Sequence, residues 1–565
     1  MNRIITRSEI EDRIAKGQAV VIYEDLVLQL DKWIRFHPGG DKAIHHMIGR
    51  DATDEMKAYH CDDTVKEFKK WKIGKIQKQW HNFVPPIQGG QFEVLENQLS
   101  DGPELLFKWR NVDTSGQFQD VSSSRRMCGE PEVKIFPKIP QGVVPSLKLT
   151  EAYEKRIVTD PSTIIDNYDN DLVKKDLIDL PDLDPKTQKW LSDEYNKTHQ
   201  AVIAANLYEC HYSRYLKEFL RIGSLFALSF YLLFYRDAKI WSAIVLGAAW
   251  QQLVFIAHDA GHISITHNYQ ADNILGMVIA SWIGGLSLGW WKRNHNVHHL
   301  VTNDPIHDPD IQHLPFFAVS TRLLKNVYST YYEKFLWFDK LAQKTIPIQN
   351  YLYYPILAFG RFNLYRLSWT HVLLGLGPRK GKAAWFRYFE LAGLTFFNYW
   401  FFYLIVYRSI HTNWERFAYV MISHITTMLV HVQITLSHFA MSTSDLGVTE
   451  SFPMRQLRTS MDVDCARWLD FLHGGLQFQV VHHLFPRLPR HNLRDAQPYV
   501  IDLCQRVGLT YSIYGFAKGN DVVLSKLAQI GRQAKTMLDC AETMRHEAVS
   551  EKKIKSIDAS GDQAR

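Results

Sequence analysis

Three clusters of histidine carry the residues of this sequence that are best suited to metal chemistry. Cluster 1 contains His258 and His262, cluster 2 contains His295, His298 and His299, and cluster 3 contains Gln479, His482 and His483. Residues three or four positions apart on a helix share one face, so imidazoles at this spacing can reach one metal ion together. The clusters therefore predict a metal site assembled from distant parts of the chain.

The number and type of these candidate ligands favour two redox-active metal ions over one zinc ion. A zinc ion is satisfied by three or four ligands, whereas the clusters offer at least seven imidazoles. An all-imidazole set suits a transition metal such as iron. The HExxH signature of zinc proteases is absent from the sequence.

Gln479 stands where cluster 2 has its first histidine. An amide is a weaker donor than an imidazole and cannot be the same kind of ligand. Three roles stay open for it: weak metal binding, a hydrogen bond to a ligand or a bound water, or an open coordination position.

His37 and His60 form a second candidate site near the N-terminus. His37 opens the motif HPGG, whose proline and glycines predict a tight turn that presents the imidazole on a stiff loop. Two imidazoles that fill both axial positions of a haem iron make an electron carrier that does not activate oxygen. The neighbouring His45 and His46 are predicted to be surface residues.

Apolar stretches beside the clusters are long enough to cross a membrane. We predict spans at 219–235, 240–257, about 388–407 and about 415–437. The stretch 351–377 is interrupted by charged residues and a proline, and is predicted to lie at the membrane interface.

The clusters can meet only if they face one side of the membrane. If 273–291 crossed fully, His295 would lie on the opposite side from His262, so we expect this stretch to dip in or to lie at the interface. The segment 378–387 predicts that the shared side is cytoplasmic, because it holds four basic and no acidic residues: Arg379, Lys380, Lys382 and Arg387.

Charge and cysteine content argue against other classes of protein. A net charge of +6 over 565 residues, with acidic and basic residues interleaved, gives little support for nucleic-acid binding. The six cysteines show no CxxC motif or paired spacing, which predicts free thiols. The polar N-terminus predicts no cleavable signal peptide.

Composition divides the chain into four predicted parts. Residues 1–80 form a compact α+β unit, 81–200 a linker with helical content near 185–200, 201–515 a membrane domain, and 516–565 a C-terminal part. Within the last part, about 520–547 is predicted to be an amphipathic helix and the remaining tail to be disordered.

Two family resemblances follow from these motifs. Residues 1–80 resemble the cytochrome b5 family, on HPGG, on the segment GRDATDEMKAYH that ends at His60 and on WKIGKI at 71–76. Clusters 1 to 3 look like the histidine boxes of the membrane fatty-acid desaturase superfamily. A fused cytochrome b5 unit with glutamine opening the third box is the pattern of front-end desaturases, and the linker looks most like that of fungal sphingolipid Δ8-desaturases.

The resemblance implies a fold and a set of ligands. The fold is an α+β haem domain followed by an all-α membrane domain with four transmembrane helices, interfacial helices and a cytosolic histidine-rich cap. His37 and His60 are the implied haem ligands. The implied diiron ligands are His258, His262, His295, His298, His299, His482 and His483. A further ligand is expected upstream of cluster 3, where His438, His473 and His431 compete.

Polar residues near the clusters are predicted to support the ligands. Asp259, Asn303, Asp308 and Asp310 are candidates to hold imidazole N–H groups. Four nearby histidines are predicted to be polar surface or supporting groups: His267, His307, His313 and His491.

The implied activity is an O2-dependent desaturase of the endoplasmic reticulum membrane, with its haem and diiron sites facing the cytosol. Electrons from NADH-cytochrome b5 reductase would pass through haem b to two non-haem irons, and a double bond would form at the Δ8 position of the long-chain base of ceramide. Three alternatives stay open: a front-end acyl-lipid (Δ5/Δ6-type) desaturase, a diiron lipid hydroxylase, and a membrane-anchored electron carrier. The last would leave the three clusters unexplained.

Overall fold

The computed structural model describes residues 3–77, 80–83 and 161–561, and the backbone of three strands between them. These strands, Gly90–Val94, Phe107–Val112 and Phe118–Asp120, pair as an antiparallel sheet. The other residues of the predicted linker between 84 and 160 lie outside the described residues.

The N-terminal unit is a small sheet covered by short helices. The β-branched run at 20–22 favours a strand, and strands Val20–Tyr23, Leu26–Gln29 and Lys72–Lys75 pair antiparallel in that order. The helices are Arg7–Ala15, Asp41–Met47, Thr53–Tyr59 and Asp62–Glu67. Residues 20–29 therefore form a hairpin, and the helix that follows the HPGG motif begins at Asp41. The α+β prediction for this unit agrees with the structure.

The rest of the described chain is mostly helical. Two pairs of short strands interrupt it: Val327–Ser329 with Lys334–Leu336, and Asp462–Asp464 with Ile513–Gly515. The all-α prediction is therefore too simple. The helices before cluster 3 are Pro161–Asp179, Pro185–Ala204, Tyr212–Phe234, Lys239–Gly261, Tyr269–Met277, Leu288–Leu300, Lys340–Thr345, Gln349–Ala358, Gly360–Leu374, Phe386–Phe397, Asn413–Thr426, Met428–Phe439, Phe452–Thr459 and Asp470–His473. The helices from cluster 3 onward are Gln479–Leu484, Leu493–Val507 and Phe516–Gly561.

By length and composition, three helices within the described ranges are able to cross a membrane. They are Lys239–Gly261, Gly381–Ser409 and Asn413–Phe439, and they coincide with three of the predicted spans. The other predicted span, 219–235, lies in helix Tyr212–Phe234 and does not meet this criterion, because the first turns of that helix are charged. The chain is a membrane protein with three or four candidate spans.

The fourth candidate is a bent pair of helical segments. Tyr269–Ile283 and Leu288–Leu300 meet at an angle of 117° across a break of four residues. Gly285 sits in this break with φ of +71°, a conformation that glycine adopts without strain. The bend allows the chain to turn back, as predicted for 273–291.

One helix inside the predicted linker ties the two halves of the structure together. Pro185–Ala204 falls where helical content is predicted and begins at Asp184, whose carboxylate accepts the Lys186 and Thr187 N–H groups at 2.9 and 3.2 Å. Its Tyr195 hydroxyl donates to the Leu484 carbonyl at 2.8 Å. This helix therefore holds the backbone directly after cluster 3.

The C-terminal helix is longer than the sequence predicts. It runs from Phe516 to Gly561, so the backbone is helical over most of the tail that was predicted to be disordered. Residues 562–565 lie outside the described residues.

The cysteine prediction agrees with the structure wherever it is described. Free thiols are found at Cys61, Cys210, Cys465, Cys504 and Cys540. Cys128 lies outside the described residues.

Candidate metal centre

Each cluster sits at a helix end that is fixed by local contacts. Cluster 1 closes helix Lys239–Gly261, and cluster 2 lies on helix Leu288–Leu300. Ser287 caps the cluster 2 helix by accepting the Trp290 N–H at 3.0 Å, and the buried Glu390 carboxylate accepts the Gly289 N–H at 3.0 Å. A carboxylate at a helix N-terminus satisfies free N–H groups and complements the helix dipole. The orientation of the cluster 2 helix is therefore fixed at its N-terminal end.

Four of the predicted ligands form the first histidine group. Ligand atoms of His258, His262, His295 and His482 all lie within 4.8 Å of one another. The ring centroids of His258 and His262 are 4.7 Å apart, and those of His262 and His482 are 4.6 Å apart. Residues from all three clusters thus converge on one point.

Three histidines form the second group. Ligand atoms of His298, His438 and His483 also lie within 4.8 Å of one another, and all three side chains are buried. His299 lies between the groups: its Nε2 is 3.0 Å from Nε2 of His295, and its ring stacks on His483 at 4.0 Å between centroids. The two groups are therefore neighbouring parts of one centre.

The donor atoms of this centre fit a pair of metal ions. Nε2 of His262, His482 and His483 and Nδ1 of His299 are buried and have no hydrogen-bond partner among the described residues. A buried polar atom without a partner is costly. Burial, and then the neighbouring imidazoles, lower the pKa of His299 and His483 well below the usual range. Both rings are therefore neutral near pH 7, which is the form that binds metals.

Carboxylates orient two cluster 2 imidazoles from the outside. Nδ1 of His298 donates to the buried Asp308 carboxylate at 2.8 Å, and an Asp310 oxygen lies 3.5 Å from Nδ1 of His295. Burial by itself lowers the pKa of His298, but the charges of Asp308 and Asp310 outweigh it and raise that pKa. Such partners fix the tautomer and leave Nε2 facing the centre.

The two N-terminal histidines face each other. The ring centroids of His37 and His60 are 6.2 Å apart, with 42° between the ring planes. Their Nδ1 atoms lie 2.8 Å from the Gly40 carbonyl and 2.9 Å from the Met56 carbonyl, and neither Nε2 atom has a hydrogen-bond partner among the described residues. A separation of roughly 6 Å suits two imidazoles that each place a nitrogen about 2 Å from a shared metal. Burial lowers the pKa of His60 to about 4, so its ring is neutral.

Comparisons with known proteins match both halves of the chain. Residues 238–515 match the fatty acid desaturase family, and residues 6–77 match the cytochrome b5-like heme/steroid binding domain family. A Delta 8-(E)-sphingolipid desaturase of Lachancea kluyveri is 74% identical over 98% of this chain and 97% of the relative. Relatives of the same name in Kluyveromyces lactis and Candida albicans are 72% and 57% identical, over 97% and 96% of this chain and 96% and 98% of the relatives.

This chain belongs to the cytochrome b5-fused fatty acid desaturases. The stretch that matches the desaturase family contains all three clusters and His438, and the stretch that matches cytochrome b5 contains His37 and His60. The predicted family resemblance is confirmed.

The structure separates the three competing histidines of the desaturase. His438 lies in the second group, with ring centroids 4.6 Å from His298 and 4.8 Å from His483. His473 lies outside both groups, 3.2 Å from the Gln433 side-chain amide, and His431 lies 3.0 Å from the Leu357 carbonyl. The geometry favours His438.

Gln479 begins helix Gln479–Leu484, one turn before His482 and His483, so all three share a face. Its side chain is 4% exposed and makes no hydrogen bond to the described residues. A buried amide without a protein partner is available to a metal ion, a water molecule or a ligand of the centre.

Other polar residues differ from their predicted roles. The Asn303 amide donates to the His438 carbonyl at 2.8 Å rather than holding an imidazole. Asp259 lies 3.6 Å from Nδ1 of His258 and also accepts from Arg490 at 2.6 Å. His46, predicted to be at the surface, is fully buried, with its ring against His307 and its Nδ1 2.8 Å from the Lys42 carbonyl.

The four histidines predicted to be polar surface or supporting groups are half-buried and contact other protein groups. His267 lies 2.7 Å from the Tyr208 carbonyl, His307 2.9 Å from Thr330, and His313 2.7 Å from the Asp310 carbonyl. The ring of His491 packs edge-on against Tyr215. None of the four belongs to a metal-binding group within the described ranges.

Sequence reasoning missed Gln456. Its side-chain oxygen accepts Nδ1–H of His483 at 2.9 Å, and its amide donates to the His299 carbonyl at 2.8 Å. Gln456 therefore connects clusters 2 and 3. It lies on helix Phe452–Thr459, outside every cluster, and no spacing in the sequence marks it.

Proposed function

We propose that this desaturase forms an (E) double bond at the Δ8 position of the long-chain base of sphingolipids, using O2. The observation that carries the proposal is the convergence of eight imidazoles, six buried and two half-buried, from three clusters and His438. The name shared by relatives that are up to 74% identical over nearly the whole chain, Delta 8-(E)-sphingolipid desaturase, supports the substrate and the (E) geometry. The substrate class is thus a sphingolipid such as ceramide.

In this proposal the chain holds haem b between His37 and His60, and two non-haem irons within the histidine groups. The first iron would be held by His258, His262, His295 and His482, and the second by His298, His438 and His483, with His299 between them. When bound, the irons supply the O2-dependent removal of two hydrogens from adjacent methylenes, and the haem supplies electrons singly.

The residues of the chain prepare the site for this chemistry. Asp308 and Gln456 fix the rings of His298 and His483, so the ligands need little reorganisation. Burial lowers the pKa of His299 and of His483 and keeps these two imidazoles neutral. Gln479 stands at the position of a ligand, and its amide is a weaker donor than an imidazole. We propose that it contacts a water molecule or lies beside an open coordination position of the centre.

The contact between the N-terminal unit and cluster 2 fits a chain that crosses the membrane four times and whose bent pair enters and leaves on the same side. The N-terminal unit packs against cluster 2, so both lie on one side. Helix Lys239–Gly261 ends on that side and therefore starts on the other, which requires Tyr212–Phe234 to cross. Its 23 residues span about 35 Å, and its basic residues lie in the first turns, where long side chains can reach the interface.

The basic segment lies on the side of the clusters. The Gln270 amide donates to the Lys382 carbonyl at 2.9 Å, next to the bent pair. We therefore propose that the haem and iron sites face the cytosol, in the endoplasmic reticulum membrane, where NADH-cytochrome b5 reductase is the electron donor. The proposed domain bounds remain 1–80, 81–200, 201–515 and 516–565.

The test is expression in a yeast strain that lacks Δ8-unsaturated long-chain bases, followed by mass spectrometry that locates double bonds. We expect long-chain bases that have lost two hydrogens at Δ8 with (E) geometry, and none from a matched His482→Ala variant. Unsaturation confined to acyl chains, or bases that gain one oxygen atom, would refute the proposed function and indicate an acyl-lipid desaturase or a hydroxylase.

A further inference from the structure

The N-terminal unit packs directly on the helix that carries cluster 2. Val297, Leu300 and Val301 share one buried apolar core with residues of the N-terminal sheet and of helix Asp41–Met47. At the edge of this contact Arg293 pairs with Asp41 at 3.1 Å, and Lys42 pairs with Glu333. The contact combines an apolar centre with ion pairs at its rim, so the orientation of the unit is specified.

The first contact between the haem site and the iron site joins the HPGG loop to a residue within the sequence of cluster 2. The Asn296 side-chain amide donates to the Gly39 carbonyl at 2.9 Å. Asn296 stands next to His295 in the chain, and Gly39 is two residues after His37. A Cβ added at Gly39 would lie 2.9 Å from Cε1 of His37 and 3.1 Å from Asn296 Nδ2, so a larger residue would force one of these side chains to shift.

The second contact joins the other haem ligand to the same cluster. Tyr59 precedes His60 directly, and its ring meets the ring of His299 edge-on, with 6.0 Å between centroids and 88° between planes. The Tyr59 hydroxyl is buried and has no hydrogen-bond partner among the described residues. The ring thus lies between a residue that faces the haem site and a residue of the iron site.

We propose that Tyr59 is the electron-transfer bridge from the haem to the iron centre. The hydrogen bond from Asn296 to Gly39 holds the HPGG loop against cluster 2 beside it. The inference rests on the proposed function, because it requires both cofactors. Electron tunnelling falls steeply with distance through empty space, and the contacts give a continuous path from His60 along the adjoining main chain to Tyr59 and then across one ring contact to His299.

The electron count of this step is simple. One electron leaves the ferrous haem, which becomes ferric, and reduces one ferric non-haem iron to the ferrous state. Two such transfers supply two electrons per turnover. Together with the two hydrogens taken from the lipid, and two protons from solvent, they reduce O2 to two waters.

A purely structural role for Tyr59 predicts a different result. If the ring only fills space, a leucine would leave electron transfer unchanged as long as both cofactors bind. Because the hydroxyl has no partner, Tyr59→Phe should fold at least as well as the wild type. Tyr59→Phe is therefore the matched control that keeps the ring and removes only the oxygen.

The experiment follows haem oxidation in the purified full-length chain. Haem and irons are reduced without oxygen by NADH and the reductase, the protein is mixed with oxygenated buffer that contains ceramide, and haem absorbance is followed by stopped flow. Haem spectrum, haem midpoint potential and iron content are measured for each variant. His482→Ala, expected to lack a complete iron centre, gives the background rate.

Wild type and Tyr59→Phe should oxidise their haem at similar rates above background, while Tyr59→Leu should slow about ten-fold or more with its haem potential and iron content unchanged. A fully loaded Tyr59→Leu protein that oxidises at the wild-type rate overturns the inference, and so does an equal slowing in Tyr59→Phe. If Tyr59→Leu does not load haem, Tyr59→Met decides: slowed oxidation in a fully loaded Tyr59→Met protein supports the bridge, and the wild-type rate overturns it. A wild-type protein with no rate above background contradicts the proposed function itself.

Discussion

At the scale of single residues, the centre depends on side chains that turn each imidazole toward its neighbours. Asp308 does this for His298, and Gln456 does it for His483. Asp308 also accepts the Asn303 N–H at 2.8 Å, so one buried carboxylate fixes both a ligand and the backbone that follows cluster 2. A substitution at such a residue should change metal affinity without removing a ligand.

Asp308→Asn should weaken iron binding by about 10- to 100-fold, because the uncharged amide holds the His298 imidazole less strongly. The measurement is iron retained against a chelator at fixed pH. Asp193→Asn is the matched control, because Asp193 is exposed and pairs with Lys189 on its own helix. Equal iron retention in the two variants would contradict the role of Asp308.

His438→Ala should lose non-haem iron, whereas His473→Ala should keep it. The reason is geometric: His438 lies in the second histidine group, and His473 packs beside Gln433 and Phe516. Iron per haem in each purified variant gives the answer. Iron loss in His473→Ala with full iron in His438→Ala would reverse the assignment.

At the scale of elements, cluster 2 is placed by the break between the two segments of the bent pair. Spacing in the sequence predicts that the clusters share one side of the membrane, and therefore that 273–291 does not cross. It does not predict that Glu390, about a hundred residues later, supports the start of the cluster 2 helix. Such contacts depend on packing between distant segments, which periodicity cannot report.

Gly285→Ala should destabilise the protein by more than about 1 kcal/mol, because φ is +71° there and a Cβ would lie 2.3 Å from the Phe397 ring. Thermal unfolding in detergent measures the effect. Gly223→Ala is the control, since nothing lies within 4 Å of its added Cβ and alanine favours a helix. Equal loss of stability in both variants would contradict the account of the break.

Asp462 should make stability fall as pH rises. Burial raises its pKa from 3.8 to about 7, although its contacts with Tyr511, the Val480 N–H and Gln497 favour the charged form. Between about pH 4 and about pH 7 the folded chain holds a proton on Asp462 that the unfolded chain has lost. The free energy of unfolding therefore decreases across this range, by at most about 1.4 kcal/mol per pH unit.

The measurement for Asp462 is the unfolding midpoint in detergent across this pH range. Asp462→Asn should flatten the profile relative to the wild type, because the titrating group is gone. A wild-type profile that rises through this window, or an unchanged slope in Asp462→Asn, would contradict the assignment.

At the scale of the whole molecule, two cofactor sites lie in one chain and meet at one helix. The HPGG motif, the residue spacings and the apolar stretches predict both sites and most spans, because these features are local. The ring contact of Tyr59 with His299 and the hydrogen bonds of Gln456 are not predictable in this way, since each joins segments far apart in sequence. The sequence also underestimates the length of the C-terminal helix, because its last turns are polar and their composition is typical of a disordered tail.

The most direct test of the account is the metal content of the purified full-length protein, measured as haem by absorbance and as non-haem iron by elemental analysis. We predict one haem and about two non-haem irons per chain, because His37 and His60 suit one group and the two neighbouring histidine groups suit a pair of ions. A chain that holds haem but no non-haem iron would contradict the central claim and leave only a membrane-anchored electron carrier.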